Sequence, residues 1–214
     1  MKNPFQKKST ALLVSLLSLI GFLLVTFLRS TLAPTDSAVN SWTASIHTSS
    51  LTIISEAIAT LFDTTILLPL SLLVAAILYL RHHRKYAVLL LAAMAGITLI
   101  VNAAKTLIQS PRPVNGIVLE TGYSFPSGHV TSTIVFLGLL TYFAWQHWKN
   151  PRTKTLTTLL YIATESLVGF SRVYLNVHWL SDILGGYPLG TFWLTFTIFL
   201  YQYSENKWSN KMQD

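Results

Sequence analysis

Residues 86–104 read YAVLLLAAMAGITLIVNAA and contain no charged side chain. A helix needs about 20 predominantly apolar residues to cross the hydrocarbon core of a bilayer, so this stretch predicts a transmembrane helix. The composition agrees, because 51% of the 214 residues are hydrophobic and only 11% are charged, against about 25% charged in ordinary soluble proteins. The protein is therefore expected to be integral to a membrane.

Five further stretches are similarly long and apolar, which makes six predicted spans in all. The six are residues 11–33, 64–81, 86–104, 129–147, 155–173 and 183–202. Between the first two, residues 34–63 begin too polar to span, yet their apolar residues recur at helical spacing. We expect a helix lying in the membrane interface there, or a solvated loop over residues 35–49.

The first stretch has one alternative reading, a cleaved signal peptide, because the leader MKNPFQKK is basic and Ala33 is small. Its apolar run of about 18 residues is longer than the usual signal core of about 7 to 15 residues, which favours a retained span. The chain has no cysteine, so disulfides and thiolate metal sites are excluded.

The basic residues predict the orientation, because short cytoplasmic loops carry the excess of Lys and Arg. Eleven of the fifteen fall on one side of the predicted spans: Lys2, Lys7, Lys8, Arg81, Arg84, Lys85, Lys149, Arg152, Lys154, Lys207 and Lys211. Arg29, Lys105, Arg112 and Arg172 remain for the other side. We therefore expect cytoplasmic termini. The short spans and the lysine-rich inner loops suit a bacterial plasma membrane.

The expected fold is all-α: one domain over residues 1–214, a polytopic six-transmembrane-helix bundle with extracytoplasmic interfacial helices.

The net charge of +7 does not indicate nucleic-acid binding, because the basic residues lie between apolar runs instead of forming a solvated stripe.

Three of the four outer basic residues belong to polar segments that this topology brings to one end of the bundle. The first segment, KTLIQSPRP, covers residues 105–113. Pro111 and Pro113 cannot continue a helix, so Lys105 should end the span and Arg112 should lie in the following loop.

The second polar segment, YSFPSGH at residues 123–129, immediately precedes an apolar run. Pro126, Ser127 and Gly128 indicate a helix start, where unpaired backbone N–H groups and the positive end of the helix dipole attract anions. Gly128 would let a ligand approach the backbone closely. His129 would stand in the first helical turn.

The third polar segment, SRVYLNVHWLSD at residues 171–182, contains the remaining candidates. His178 and Asp182 are four residues apart, which on one helix places them on the same face, where Asp182 can orient and charge-stabilise His178. Arg172 and His178 converge only if the helix breaks within VYLNV, residues 173–177. We predict that break.

Together the three segments supply three cations and a helix N-terminus, a cradle suited to a tetrahedral dianion, with two histidines and a carboxylate beside it. Such a set suits phosphoryl transfer: one histidine attacks in line, the other protonates the departing oxygen, and the cations neutralise the non-bridging oxygens. A neutral imidazole is a competent nucleophile near neutral pH, and Asp182 would fix its tautomer. No metal and no other cofactor is required by this chemistry.

The same residues carry a family resemblance. The pattern K-x6-R-P, P-S-G-H and S-R-x5-H-x3-D resembles the signature of the type 2 phosphatidic acid phosphatase superfamily, and the six predicted spans favour its membrane lipid-phosphatase branch. Every signature position is matched, in order, by Lys105, Arg112, Pro113, Pro126, Ser127, Gly128, His129, Ser171, Arg172, His178 and Asp182.

The resemblance implies a role for each matched residue. His178 would be the nucleophile that forms a phosphohistidine, Asp182 its partner, and His129 the general acid that later activates water. The phosphate-binding residues would be Lys105, Arg112, Ser127, Gly128 and Arg172, with Ser171 a weaker assignment.

The implied partners are membrane lipids and a lipid phosphate substrate such as undecaprenyl diphosphate, phosphatidylglycerol phosphate or phosphatidic acid. The sequence does not choose among these lipids and does not indicate an oligomeric state. Two alternatives stay open: a phosphotransferase that passes the phosphate to a lipid or sugar hydroxyl, and a non-catalytic lipid- or anion-binding membrane protein.

Glu165 falls inside the fifth predicted span, about two helical turns from Arg172. An ionisable group inside a span is either functional or structurally satisfied. It could act near substrate entry or be a buried structural residue.

Overall fold

The structure, a computed structural model, describes residues 8–211, excluding the side chains of Lys8 and of residues 206–211. Lys2 and Lys7, which contribute to the expected orientation, lie outside the described residues. The described chain forms seven helices: α1 (Lys8–Ser45), α2 (Ser49–Leu61), α3 (Thr64–Leu80), α4 (Arg84–Ile108), α5 (Gly128–His147), α6 (Pro151–Tyr174) and α7 (Leu180–Lys211). The expected all-α fold is confirmed.

Four helices of the described chain are long and apolar enough to cross a membrane: α1, α4, α5 and α7. Helices α2 and α3 pass the same test only as a pair, with a bend of 47° between them. Helix α6 is not among them, although it has 24 residues, because Arg152, Lys154, Glu165 and Arg172 interrupt its apolar character. The structure thus has four or five candidate spans where the sequence predicted six.

The first helix is longer than predicted. We expected a span ending near residue 33, but α1 runs for 38 residues with Pro34 inside it, a length of about 57 Å against about 30 Å of hydrocarbon. Of the two alternatives for residues 35–49, the helix is correct as far as Ser45 and the solvated loop is wrong there. That a helix lies in the membrane interface stays a prediction. Three of the polar side chains there, those of Asp36, Asn40 and Thr43, are buried and hydrogen-bonded to other parts of the chain, so their polarity does not mark solvent exposure.

Helix α5 lies at the centre of the bundle and packs against α3, α4, α6 and α7, while α1 packs along α7. Its apolar side chains are buried on several sides, as at Val130 and Leu139, both 0% exposed. A Cβ atom on Gly138 would lie 2.4 Å from Leu194 Cδ2, so glycine permits the close contact of α5 with α7. The starts of α5 and α7 therefore meet at one end of the bundle, where the polar segments converge.

Candidate active site

The loop between α4 and α5 begins at Gln109, which has a left-handed backbone with φ of 51°. Ser110 and Ser124 close the loop through a backbone hydrogen bond of 2.9 Å and a contact of 2.7 Å between their hydroxyls. Arg29 of α1 donates to the Ser110 hydroxyl and places its guanidinium 4.5 Å from the ring centre of Phe125. Arg29, the outer basic residue that belongs to no polar segment, therefore holds this loop.

The predicted helix break between α6 and α7 is confirmed, with Asn176 at φ of 52°. The predicted contact between His178 and Asp182 is also present, but not on one helix, because His178 precedes the start of α7. Asp182 lies in the first turn of α7 and reaches back. Its Oδ2 accepts from Trp179 N at 2.9 Å and lies 3.1 Å from His178 Nδ1.

The extension of α1 holds this break in place. Asn176 donates from Nδ2 to Asn40 Oδ1 at 2.6 Å and to Thr43 Oγ1 at 3.0 Å. The Asp36 carboxylate accepts from Ser181 N at 2.8 Å and from Ser181 Oγ at 2.7 Å, which satisfies a first-turn donor of α7. The N-terminal helix is therefore part of the scaffold of the site.

His178 is 2% exposed, and its second nitrogen, Nε2, lies 3.3 Å from Arg112 Nη1. A guanidinium can only donate, so Nε2 is the acceptor and the ring proton belongs on Nδ1, towards Asp182. Burial lowers the pKa of His178 well below its ordinary value, and the charges of Arg172, Arg112 and Lys105 lower it further. The imidazole is therefore neutral at pH 7, with a lone pair directed towards the cations.

The structure brings the three predicted cations to this end of the bundle. Arg112 donates to the carbonyls of Val177 at 2.8 Å and Gly122 at 3.1 Å, which fixes its guanidinium beside His178. Lys105 donates from Nζ to the carbonyl of Tyr123 at 2.5 Å. Arg172 is 2% exposed, and its Nε is buried without a hydrogen-bond partner among the described residues.

The start of α5 adds neutral donors. Ser127 occupies the N-cap position, but its side chain makes no capping bond, and its buried Oγ has no partner among the described residues. A Cβ atom on Gly128 would lie 3.8 Å from Thr64 Oγ1, an ordinary contact, so nothing in the described chain itself demands glycine there. His129 stands in the first turn as predicted, with Nε2 3.0 Å from Asp63 Oδ2.

Asp63 is a site residue that the sequence analysis missed. It is the N-cap of α3, where Oδ1 accepts from Thr65 N at 2.7 Å while Oδ2 contacts His129. The hydrogen bond with His129 is the main cause that holds the pKa of Asp63 below its usual range. An acidic residue directly before a predicted span was the available signal.

Glu120 is the second residue that the sequence analysis missed. One oxygen of its carboxylate accepts from Arg172 Nη2, and the other lies 3.6 Å from Arg112 Nη2. It is the sole acidic residue between Asp63 and Glu165, and this scarcity was the only sequence signal. A carboxylate of the chain thus contacts the guanidinium pair that an anionic ligand would use.

Other expectations have simpler outcomes. The Ser171 hydroxyl donates to Val168 O at 2.8 Å within α6. Glu165 is 5% exposed, and neither of its carboxylate oxygens has a partner among the described residues. The described residues contain no group of three His, Asp or Glu side chains placed to hold a metal ion. Independence from metal stays a prediction.

Residues 86–207 match the model of the family described as the PAP2 superfamily, a stretch that contains all the matched signature residues. The chain belongs to the PAP2 superfamily. This confirms the resemblance drawn from the three motifs, together with the expectation of a PAP2-type membrane lipid phosphatase.

Two named relatives and one solved structure resemble this PAP2 chain. Phosphatidylglycerophosphatase B of Bacillus subtilis is 29% identical over 157 residues, which cover 72% of this chain and 77% of that protein. An undecaprenyl-diphosphatase of Sulfolobus acidocaldarius is 32% identical over 131 residues, 57% of this chain and 58% of that protein. The crystal structure of a transmembrane PAP2 type phosphatidylglycerolphosphate phosphatase from Bacillus subtilis superposes with a TM-score of 0.80 at 26% identity, covering 90% of this chain and 96% of that one.

Proposed function

We propose that the protein hydrolyses the terminal phosphate of a membrane lipid phosphate or diphosphate through a covalent phosphohistidine on His178. The observation that carries this proposal is the geometry of the imidazole. Its Nδ1 lies 3.1 Å from Asp182 Oδ2, and its Nε2 lies beside the Arg112 guanidinium at 3.3 Å. A neutral imidazole whose lone pair points into a cluster of cations is a nucleophile directed at an anion.

In the first step, His178 Nε2 attacks phosphorus as the bond to the lipid oxygen breaks. Positive charge develops on the ring and is stabilised by the Asp182 carboxylate, while His129 gives a proton to the departing oxygen. In the second step, water attacks the phosphohistidine, His129 takes a proton from that water, and phosphate leaves His178. Asp63 orients His129 and stabilises its protonated form.

The cradle binds the phosphate through charge and through the N-terminus of α5. Lys105, Arg112 and Arg172 neutralise the non-bridging oxygens. The Ser127 hydroxyl and Arg172 Nε, which have no hydrogen-bond partner in the part of the chain that the structure describes, supply directed donors. Gly128 gives the phosphate room against the backbone. Glu120 lies beside Nη2 of both guanidinium groups, so a phosphate that uses these two donors would have to displace it.

The substrate class follows from the site and from what the relatives are named for. Those names refer to phosphatidylglycerol phosphate and to undecaprenyl diphosphate, which share a terminal phosphate on a long-chain lipid. The cradle would bind the terminal phosphate, and the apolar surfaces around the cradle would contact the lipid tail. A panel of lipid phosphates in detergent, compared by kcat/KM for phosphate release, identifies the preferred substrate.

Two variants test the chemistry. His178→Ala should abolish both phosphate release and any acid-labile phosphoenzyme. His129→Ala should slow turnover but still form phosphoenzyme from a substrate with a good leaving group, because the nucleophile is intact. Full activity in His178→Ala would refute the covalent mechanism.

We further propose one domain over residues 1–214 with six spans, α2 lying in the extracytoplasmic interface and α6 serving as the fifth span. Arg152 and Lys154 at the start of α6 would reach the cytoplasmic interface, and Glu165 and Arg172 would lie inside the bundle. Both termini would be cytoplasmic in a plasma membrane, and the active site would be extracytoplasmic. The supporting observation is that each of the four outer basic residues has a local partner at the site, so none of them argues against this orientation.

Cysteine labelling tests the orientation, because the chain contains no cysteine. Val114, which is 103% exposed in the loop before α5, and the exposed Lys149 between α5 and α6 are suitable positions. A membrane-impermeant maleimide applied to intact cells should modify Val114→Cys and spare Lys149→Cys. The reverse pattern would overturn the orientation.

A further inference from the structure

An apolar groove lies at the end of the bundle opposite the proposed active site. It is a groove of about 610 Å³ between the start of α4 and the end of α7. Its walls are mostly apolar and include Val88, Leu89, Ala92 and Leu200. Lys105 of the active site lies 20 residues further along α4 than Lys85 at the groove mouth, a separation of about 30 Å. The groove is therefore not part of the phosphate cradle.

The mouth of the groove is polar and cationic. Arg84, Lys85 and Tyr201 line the groove and also line an adjoining cavity of about 400 Å³, together with His82 and His83. One lining region thus joins an apolar trough to a pocket rich in basic and hydroxyl groups. A lining of this kind suits an amphipathic ligand with an anionic head group.

The two cations at the mouth differ in their partners. Lys85 Nζ lies 2.5 Å from Glu205 Oε1 across the mouth. The Arg84 guanidinium lies 4.9 Å from the ring centre of Tyr79 and forms no ion pair among the side chains of residues 9–205. Arg84 is exposed, so its guanidinium is free to bind an anion at the mouth of the groove.

We propose that this groove binds one anionic phospholipid from the leaflet opposite the active site, with an acyl chain along Val88, Ala92 and Leu200 and the phosphate on Arg84 and Lys85. The apolar walls favour the chain, and the basic mouth favours an anionic over a zwitterionic head group. The ligand class is thus a diacyl phospholipid with net negative charge. It is bound and not hydrolysed, because His178, His129 and Asp182 are at the other end of the bundle.

The test uses the purified full chain in detergent. Phosphatidylglycerol and phosphatidylcholine with identical short acyl chains are titrated separately, and the rise in Tm gives an apparent Kd for each. Phosphatidylglycerol should bind tightly and phosphatidylcholine weakly. Each cation near a membrane surface changes binding about fivefold, so the double variant Arg84→Gln, Lys85→Gln should weaken phosphatidylglycerol binding by about 30-fold.

Matched variants separate this site from the alternatives. Arg81→Gln removes an exposed charge that lines neither cavity and should leave the apparent Kd unchanged. Glu205→Gln removes the carboxylate that competes for Lys85 and should tighten binding, a gain that misfolding cannot produce. Ala92→Trp should fill the trough and weaken binding.

Three outcomes would overturn the proposal. Equal binding of the two lipids would mean that the groove accepts any acyl chain. An unchanged Kd in the double variant would exclude Arg84 and Lys85. Loss of binding in Lys105→Ala, with the double variant unaffected, would place the lipid in the active site.

Discussion

The most informative single change is Asp182→Asn, because the surroundings allow an amide to keep the geometry while the charge is lost. One carboxylate oxygen serves both His178 Nδ1 and Trp179 N, and an amide oxygen can take that position. The other lies 3.3 Å from Ser124 Oγ, which can accept from an amide NH₂ instead of donating. The variant should therefore fold and present the same tautomer of His178.

The magnitude follows from the distance. Unit charges 3.1 Å apart interact by about 5 kcal/mol at an effective dielectric constant of about 20, which is the upper limit for a full positive charge on the ring. If half of that charge has developed in the transition state, the loss is about 2.5 kcal/mol. Since about 1.4 kcal/mol corresponds to a tenfold change in rate, kcat should fall by about 10²- to 10⁴-fold. KM should change little, because Asp182 does not contact the lipid in the proposed mechanism.

The assay is phosphate release from a lipid phosphate in detergent, with kcat and KM measured separately and Tm compared with the unmodified chain. Asp36→Asn is the matched control. It makes the same chemical change in a buried carboxylate of α1 that also contacts the first turn of α7, but its partner there is Ser181 and not His178. That control should lower Tm and leave kcat within about tenfold of the original. A folded Asp182→Asn protein with nearly normal kcat, or with its whole defect in KM, would refute the reasoning.

Three further predictions concern the other groups of the proposed mechanism. Asp63→Asn should lower kcat by about 10- to 100-fold for a lipid alkyl phosphate but less for an aryl phosphate, whose leaving oxygen needs less help from the acid His129; equal losses would contradict that role. On the acid side of the pH profile, kcat/KM should fall only at a pH below the ordinary pKa of histidine, because the lowered pKa of His178 keeps the imidazole neutral as pH falls. Arg112→Gln removes one of the charges that lower this pKa and should shift the fall in kcat/KM to higher pH; an unshifted profile would argue against the charge effect. EDTA should leave phosphate release largely intact while vanadate inhibits it, since cations and N–H groups meet the charge of the phosphoryl group; strict dependence on an added divalent ion would contradict the proposed mechanism.

The sequence predicted which polar segments meet at one end of the bundle, because these segments are tied to local signals. Pro111 and Pro113 end a helix, Ser127 and Gly128 start one, and each signal acts within a few residues. The convergence of Arg172 with His178 required only one broken helix, which the structure contains. The contact of His178 with Asp182 was predicted from helical spacing, although it arises at a helix start.

The residues that were missed depend on distant partners. Asp63 contacts His129 across 66 positions, and Glu120 contacts Arg172 across 52, and neither pair has a periodic pattern that a reader of the sequence could follow. The solvated loop considered for the polar stretch around Asn40 is wrong because the sequence shows the polarity of Asn40 but not the Asn176 side chain that hydrogen-bonds to it. A polar side chain in a membrane protein either faces water or contacts a buried partner, and only the fold shows which of the two applies.

The extension of α1 changes what counts as the catalytic unit. Asp36 and Asn40 lie outside residues 86–207, the stretch that matches the family model, as does Asp63. Yet the first two contact the start of α7 and the break before it, and the third contacts His129, the proposed general acid. A graft of the matched stretch alone would contain every motif residue but neither Asp36 nor Asn40, so the loop that holds His178 would lose these contacts with α1. We therefore expect an active graft to need the N-terminal helix as well.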